Sequence, residues 1–472
     1  MTGIPLIVAF VIAIAVMIVM ISKFKIHPFI SIMLVALVLG LVAGIPLADV
    51  TTVAADGTKT TTPGIATVIG QGFSSTFTSI GIVIILGALV GSILEATGGA
   101  LKLADMMVRL VGKKHPELAV ELMGWIVSIP VFCDSGFVIL NPIRKAIVQR
   151  TGASSVMLSV ALACGLYTSH VFIPPTPGPI AAAGSLGLGD NLLLVMGIGA
   201  LASILPLVAG IVYARFIGKR VKSSDEADQG ETTKTYEELI AEYGKLPSGW
   251  MALAPILVPI LLMALGSVAS MAKWTGFGAQ LCAFLGAPMI SLAVGVVFAV
   301  IELGSMGRID QFYKLTEETL KTVGPILFIT AAGGVLGKVI AASDMVNFIK
   351  SNASTFETLG IFFPFLLAAI LKTAQGSSTV AITTTAGILS SLLVPLGFTT
   401  PVDAALVVAA IGAGAMTVSH ANDSYFWVVT NFGAMTPDQG YRTQTVATGI
   451  IGVAGIIGVW IMYLIFGAMG IA

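Results

Sequence analysis

The stretch LAVELMGWIVSIPVFCDSGFVILNPIRKAIV, residues 118–148, decides the fold assignment. It is apolar overall, but Pro130, Asp134, Ser135 and Gly136 interrupt it. Neither arm reaches the roughly 20 residues that a membrane-crossing helix needs. A polar interruption cannot remain in a helix that faces lipid, because its backbone groups would lack hydrogen-bond partners. The stretch therefore predicts a re-entrant hairpin, in which two short helices meet at a polar tip.

The composition of the whole chain excludes a soluble protein. Of the 472 residues, 56% are hydrophobic and only 10% are charged, against roughly 25% charged in an ordinary soluble domain. The net charge is zero, so we expect no nucleic-acid partner. Cys133, Cys164 and Cys282 lie in apolar stretches without metal-ligand spacing, so we expect packing roles for them and no metal or cofactor.

Apolar stretches elsewhere in the chain have the length of a membrane crossing. They are residues 4–22, 29–48, 80–97, 154–188, 191–217, 250–270, 278–303, 322–342, 404–434 and 443–468, of which 154–188 and 404–434 are interrupted. A second broken segment at 357–396 predicts a second hairpin. The predicted fold class is an all-α polytopic membrane protein with about ten transmembrane helices, two re-entrant hairpins and two interrupted helices.

The second half of the chain repeats the plan of the first. The motif Ala163-Cys164-Gly165 followed by Ser169-His170 recurs as Ala413-Gly414-Ala415 followed by Ser419-His420, 250 residues later (413 minus 163). We predict a first repeat over 1–217 and a second over 249–472, each with one hairpin and one broken helix. The charged segment 218–248 is the predicted linker between them.

The positions of the Lys and Arg residues predict the orientation. With five crossings in each repeat, one side of the membrane receives all 24 Lys and Arg residues except Lys59, Lys273, Lys338, Lys350 and Lys372. The positive-inside rule makes that side cytoplasmic. We therefore predict a multi-pass bacterial inner-membrane protein with both termini external and the linker 218–248 cytoplasmic. An odd number of crossings per repeat makes the repeats inverted, as in many secondary transporters.

Four polar clusters at predicted breaks are the candidate site, because polar groups at membrane depth are costly and usually functional. Helix N-termini suit a carboxylate, and hydroxyl and amide side chains suit a polyol chain. The candidate substrate-binding residues are Asp134, Ser135, Gly136, Ser169, His170, Thr176, Gly178, Gln375, Gly376, Ser377, Ser378, Thr379, His420, Asn422, Asp423 and Ser424. Asp134, His170 and Asp423 are the candidates for proton coupling, and Lys372 is a weaker candidate for carboxylate binding.

Three of these motifs resemble the gluconate permease (GntP) family of the ion transporter superfamily. They are Phe132-Cys133-Asp134-Ser135-Gly136-Phe137, the Pro-Pro-Thr-Pro-Gly-Pro run at 174–179 and the Ser419-to-Ser424 cluster. The resemblance covers essentially the whole chain. It implies proton symport of gluconate-like sugar acids or smaller hydroxy acids, and a homodimer is an expectation from the superfamily. Many gluconate-type members have His where this chain has Thr176, which leaves glycerate, hydroxybutyrate, fructuronate and D-serine open as substrates.

Other functions remain open at this stage. Sodium-coupled transport of a carboxylate or a D-amino acid is the close alternative, because Ser, Thr and Asp oxygens suit Na⁺ as well. An intramembrane enzyme is disfavoured, because no G-x-S-x-G or H-E-x-x-H motif occurs. A channel is disfavoured by paired inverted hairpins, and no Walker A sequence indicates ATP binding. The sequence therefore predicts a secondary transporter working by alternating access, with no catalytic residues.

Overall fold

The computed structural model describes residues 3–53, 59–103, 106, 115–224, 246–345, 347–348, 359–420 and 423–471. Most of the predicted linker, residues 225–245, lies outside the described residues. The candidate residue Asn422 and the start of the predicted second hairpin, residues 357–358, also lie outside them.

The described chain is almost entirely helical. We number its helices α1 Ile4–Ser22, α2 Pro28–Ala43, α3 Ile65–Thr76, α4 Ile82–Thr97, α5 Pro116–Val127, α6 Cys133–Thr151, α7 Ser155–Phe172, α8 Pro177–Ser185, α9 Leu192–Ala202, α10 Ile204–Ile217, α11 Gly249–Met271, α12 Phe277–Gly286, α13 Pro288–Ser305, α14 Phe312–Ala342, α15 Phe362–Gln375, α16 Ser378–Leu389, α17 Pro401–Met416, α18 Ser424–Phe432, α19 Pro437–Gly440 and α20 Val446–Ala468. The strands β1 Val50–Val53 and β2 Lys59–Thr62 form an exposed antiparallel pair that the sequence analysis did not predict. Wider π-helical turns join α3 to α4, at Phe77–Gly81, and α19 to α20, at Tyr441–Thr445.

Proline and glycine set many of the helix boundaries. Six helices begin with proline, among them α8 at Pro177 and α17 at Pro401, because proline lacks the N–H that a first helical residue leaves unpaired. Four helices end at a glycine with left-handed backbone, including α6 at Gly152 and α15 at Gly376. These signals place the breaks in apolar segments that hydrophobicity alone would run together.

Seven helical stretches of the described chain are long and apolar enough to cross a membrane, and six apolar helices are shorter. The long stretches include Ser155–Ser185, Leu192–Ile217 and Ile309–Ala342. Side chains of α12 are all at least partly exposed, as expected of a helix that faces lipid. The chain is therefore an all-α, multi-pass membrane protein, as predicted.

Both predicted interruptions are breaks between separate helices. Residues 173–176 separate α7 from α8, and residues 417–423 separate α17 from α18. Both predicted hairpin segments are pairs of packed helices, α5 with α6 and α15 with α16, joined by two to five residues. That the arms of each pair enter and leave on one side of the membrane stays a prediction.

Contacts between helices repeat when the two halves of the chain are exchanged. Helix α6 packs on α18, and correspondingly α16 packs on α8. Likewise α5 packs on α7 as α15 does on α17, and α13 packs on α4 as α2 does on α14. A two-fold relation between the repeats would produce this pattern. The inverted repeat stays a prediction, and these paired contacts support it.

Three helices form the centre of the molecule. In α7 and α17 nearly every side chain is buried, and in α16 all of them are. A helix that is apolar and buried all round must be enclosed by other helices. The ends of these central helices, at the two breaks and the second hairpin tip, are therefore held inside protein.

Candidate functional site

A cavity of about 150 Å³ lies where the two hairpin tips approach the second break. It is lined by Phe132, Cys133, Asp134, Tyr167, His170, Gly376, Ser377, Ser378, Thr379, Asp423, Ser424 and Tyr425. Eight of these residues were candidates from the sequence, and they come from all four predicted clusters. They are Asp134, His170, Gly376, Ser377, Ser378, Thr379, Asp423 and Ser424. Folding therefore brings together residues that are up to 290 positions apart.

Three helices begin at this cavity. They are α6, which starts at Cys133, α16, which starts at Ser378, and α18, which starts at Ser424. The first N–H groups of a helix have no partner within the helix and carry a partial positive charge. The cavity therefore offers three sets of backbone donors to an anion.

Gly376 forms the turn of the second hairpin. Its φ of +86° is a left-handed conformation that side chains with a Cβ rarely adopt. The turn ends α15 and lets Ser377 cap α16, where the Ser377 Oγ accepts a hydrogen bond from the Val380 N–H at 3.3 Å. Glycine is therefore required here for the tip to present its hydroxyl groups to the cavity.

A buried ion pair forms one wall of the site. The Lys372 Nζ lies 2.5 Å from the Asp423 Oδ2, and the side chains are 0% and 6% exposed. Lys372 also donates to the Gly376 carbonyl, and the Ser419 hydroxyl donates to Asp423. The pair therefore ties the second hairpin to the second break and neutralises both charges.

Asp134 has no such partner. Its Oδ1 accepts a hydrogen bond from the Ser424 hydroxyl at 3.1 Å. Among the described side chains, no Lys, Arg or His forms an ion pair with it. When Lys372, Asp423 and Asp134 are all charged, the charges of Lys372 and Asp423 cancel. The ionised Asp134 then gives the cavity one net negative charge.

His170 and two tyrosines also line the cavity. The His170 side chain is buried beside the Phe132 ring, with ring centroids 5.9 Å apart, and its Nδ1 lacks a partner among the described groups. The rings of Tyr167 and Tyr425 are 5.0 Å apart, and their hydroxyls donate to backbone carbonyls of Ala415 and Ala163. Both tyrosine hydroxyls are therefore tied to the backbone of the central helices.

Several sequence candidates lie away from the cavity lining. The Thr176 hydroxyl donates to the Ile173 carbonyl. Gly178 packs against Ile382, and Gly136 against Leu166.

The remaining candidates divide in the same way. The His420 Nε2 lies 3.1 Å from the Thr373 carbonyl, which links the break to the hairpin. Ser169 is buried outside the lining. Asn422 and the side chains of Ser135 and Gln375 are not described.

The sequence analysis missed part of the lining. Tyr167 and Tyr425 were not considered, Cys133 was assigned to packing, and Lys372 was given little weight. Two signals were available: Tyr167 precedes His170 by three residues and so shares its helix face, and Tyr425 directly follows Ser424.

A multi-pass helical architecture with a polar cavity among helix ends is typical of membrane transporters. The chain matches the model of the GntP family permease over residues 4–465 and belongs to that family. It is 33% identical over 482 aligned positions to an uncharacterized permease of Haemophilus influenzae, covering 100% of this chain and 95% of the relative.

A second relative agrees with this membership, and a solved structure shares the fold. The chain is 30% identical to a gluconate permease of Zymomonas mobilis, covering 94% of this chain and 95% of the relative. Its fold is similar to that of the Alcanivorax borkumensis YdaH transporter, with a TM-score of 0.65, 16% identity and coverage of 94% of this chain and 99% of that one.

Proposed function

We propose that this protein is a proton-coupled symporter that takes up a small hydroxylated carboxylate of the gluconate type by alternating access. The observation that carries the proposal is that three helix N-termini meet one carboxylate, Asp134, which has no cationic partner among the described side chains. A related permease of Zymomonas mobilis is named for gluconate, which supports a sugar acid as substrate.

The cavity suits both ends of such a substrate. A substrate carboxylate would be stabilised by the N–H groups at the starts of α6, α16 and α18. The hydroxyls of Ser377, Ser378 and Thr379 can exchange hydrogen bonds with a polyol chain. At about 150 Å³, the space fits a small acid rather than a large one.

Charge explains why a proton would accompany the substrate. An entering carboxylate about 4 Å from an ionised Asp134 would be repelled by about 4 kcal/mol at an effective dielectric constant of about 20. That corresponds to about three orders of magnitude in Kd. Protonation of Asp134 removes the repulsion, so substrate and proton would bind together. Asp423 is already neutralised by Lys372, which favours Asp134 over Asp423 as the carrier.

Contacts between chain segments support the predicted orientation of the helix ends. Residues predicted to be cytoplasmic contact one another: Arg215 binds Glu117, Arg308 donates to the Ala96 carbonyl, and Gln439 donates to the Lys222 carbonyl. These contacts support external termini and a cytoplasmic linker in a bacterial inner membrane. A homodimer is also part of the proposal, as an expectation from the superfamily alone.

The test is uptake of labelled gluconate into proteoliposomes with an inward proton gradient and no sodium. We expect accumulation above equilibrium by the wild type, and exchange without accumulation by Asp134→Asn. The matched control is Asp190→Asn, the same change at an exposed residue outside the cavity, which should accumulate gluconate normally. Accumulation that needs sodium, or proton-driven accumulation by Asp134→Asn, would reject the proposed coupling.

A further inference from the structure

A second buried carboxyl group lies outside the substrate cavity. Glu121 on α5 is 0% exposed, and neither of its carboxyl oxygens has a hydrogen-bond partner among the described residues. An acidic side chain in this position does not contribute to the ion pair or to the cavity lining.

The neighbouring helices are shaped around this carboxyl group. On α10, Gly210 leaves the space beside the Glu121 Oε1 that a Cβ would occupy, and the Cys164 side chain of α7 borders the same space. On α7, Gly165 lets the backbone of α5 approach closely at Glu121. Gly210 therefore makes room for the carboxyl group, and Gly165 makes room for the backbone that carries it.

No charged group in the surroundings pairs with Glu121. On its own helix, Glu117 adds a negative charge one turn away, and the α10 residue Arg215 binds Glu117 instead, with Nε at 3.0 Å. On α6, which also packs on α5, Asp134 accepts from Ser424 and Arg144 donates to Asn141 and Ser155. On α7 the Cys164 thiol borders Glu121 and donates weakly, whereas the Tyr167 hydroxyl donates to the Ala415 carbonyl and His170 lines the cavity. On α10 the Tyr213 hydroxyl donates to the Arg442 carbonyl.

An ionised carboxylate in this position would lose its hydration without gaining a cation or a donor, a penalty of several kcal/mol. Glu121 therefore holds a proton in this conformation. Ionisation requires that water or the Arg215 guanidinium reach it, which a small shift of α5 against α10 would allow. Glu117, one helical turn away, is the group that can accept the proton from Glu121. It lies near the start of α5, where water has access because the neighbouring side chains of His115 and Arg215 are 60% and 50% exposed.

We propose that Glu121 is a second proton-binding site, which is protonated in this conformation. It releases its proton through Glu117 when the first hairpin, α5 with α6, moves. The proton leaves a Glu121 carboxyl oxygen and is accepted by the Glu117 carboxylate and then by water, and no electron is transferred. The role in transport rests on the proton coupling proposed above. The existence of the site does not, because it can be detected in the purified protein without any substrate.

The experiment is infrared difference spectroscopy of purified protein between mildly acidic and alkaline pH. It follows the C=O stretching band of a protonated carboxylic acid. We expect a band that titrates in the wild type and is lost in Glu121→Gln. The matched control is Glu302→Gln, which replaces another buried acid, one that accepts from the Thr97 hydroxyl at 2.6 Å. That control should retain the Glu121 band.

Two further measurements separate a working site from a structural acid. Glu121→Gln should bind gluconate within about twofold of the wild type in a thermal-shift titration, yet accumulate it to a lower ratio for a given pH gradient. If Glu121→Gln does not fold, Gly210→Ala displaces the carboxyl without removing it and should shift the band.

The outcomes are distinguishable. An infrared difference spectrum of Glu121→Gln that is identical to that of the wild type, or a Glu121 band that is unmoved in Gly210→Ala, overturns the assignment. A band that never titrates while the protein is folded, together with unchanged accumulation by Glu121→Gln, makes Glu121 a structural acid and also overturns the proposal. Failure of gluconate to bind the wild type would reject the proposed substrate, and the infrared titration would still decide the site.

Discussion

Replacing Lys372 and Asp423 singly and together tests whether this ion pair holds the second hairpin against the second break. Lys372→Met and Asp423→Asn each leave one buried charge without its partner, at side chains that are 0% and 6% exposed. Breaking a buried pair in this way costs about 3–5 kcal/mol. Removing both charges leaves neither unpaired, so we expect the double variant to be more stable than either single variant.

The free energy of unfolding can be measured in mixed detergent micelles by circular dichroism. We expect a coupling energy near the upper end of the about 0.5–3 kcal/mol found for residues in contact. The control is Lys338→Met, which removes an exposed Lys from the membrane helix α14 and should change stability by less than about 0.5 kcal/mol. Additive effects of the two single changes, or a Lys372→Met variant as stable as the wild type, would refute the assignment of the pair as a structural link.

Three further outcomes follow from the described geometry. Gly376→Ala should lower the free energy of unfolding by about 1 kcal/mol or more and weaken gluconate binding, because φ is +86° at the hairpin turn. Unchanged thermal unfolding would contradict this. Gly337→Ala should destabilise the contact of α14 with α16, because a Cβ there would overlap the backbone of α16. The control Gly324→Ala, on the same helix, places its Cβ more than 4 Å from atoms outside its own helix and should be neutral. Equal unfolding midpoints for the two variants would count against close packing at Gly337. The Gly64 N–H donates to the Asp49 carboxylate at 2.7 Å and lowers the pKa of Asp49 in the folded state. The stabilisation from this bond is therefore present above the pKa of Asp49 in the unfolded chain and is lost as the pH falls through its pKa in the folded protein. Asp49→Asn should flatten the acid limb of a profile of unfolding temperature against pH, and an unaltered limb would contradict the assignment.

Much of the architecture was predictable from the order of residues. The local signals are apolar runs long enough to cross a membrane and the prolines and glycines that interrupt them. Backbone groups without hydrogen-bond partners are not tolerated in lipid, so helix breaks must coincide with polar or helix-ending residues. The breaks after Phe172 and Met416, and the hairpin turns near Asp134 and Gly376, lie where these signals occur. The β1–β2 pair was missed because its short, polar strands carry no apolar alternation.

Tertiary structure alone decided which polar groups share one cavity. Thr176 and Asp423 looked alike in sequence, as polar residues at helix breaks, but the Thr176 hydroxyl is turned to the Ile173 carbonyl whereas Asp423 meets Lys372, 51 positions away. Charge balance is likewise a property of the folded chain, because Coulomb energy depends on distances that sequence does not contain. It left Asp134 without a cation and Glu121 without any partner among the described residues. The sequence by itself therefore determined that helices break within the membrane protein and roughly where, and packing determined which polar groups share the cavity and which of them have a charged partner.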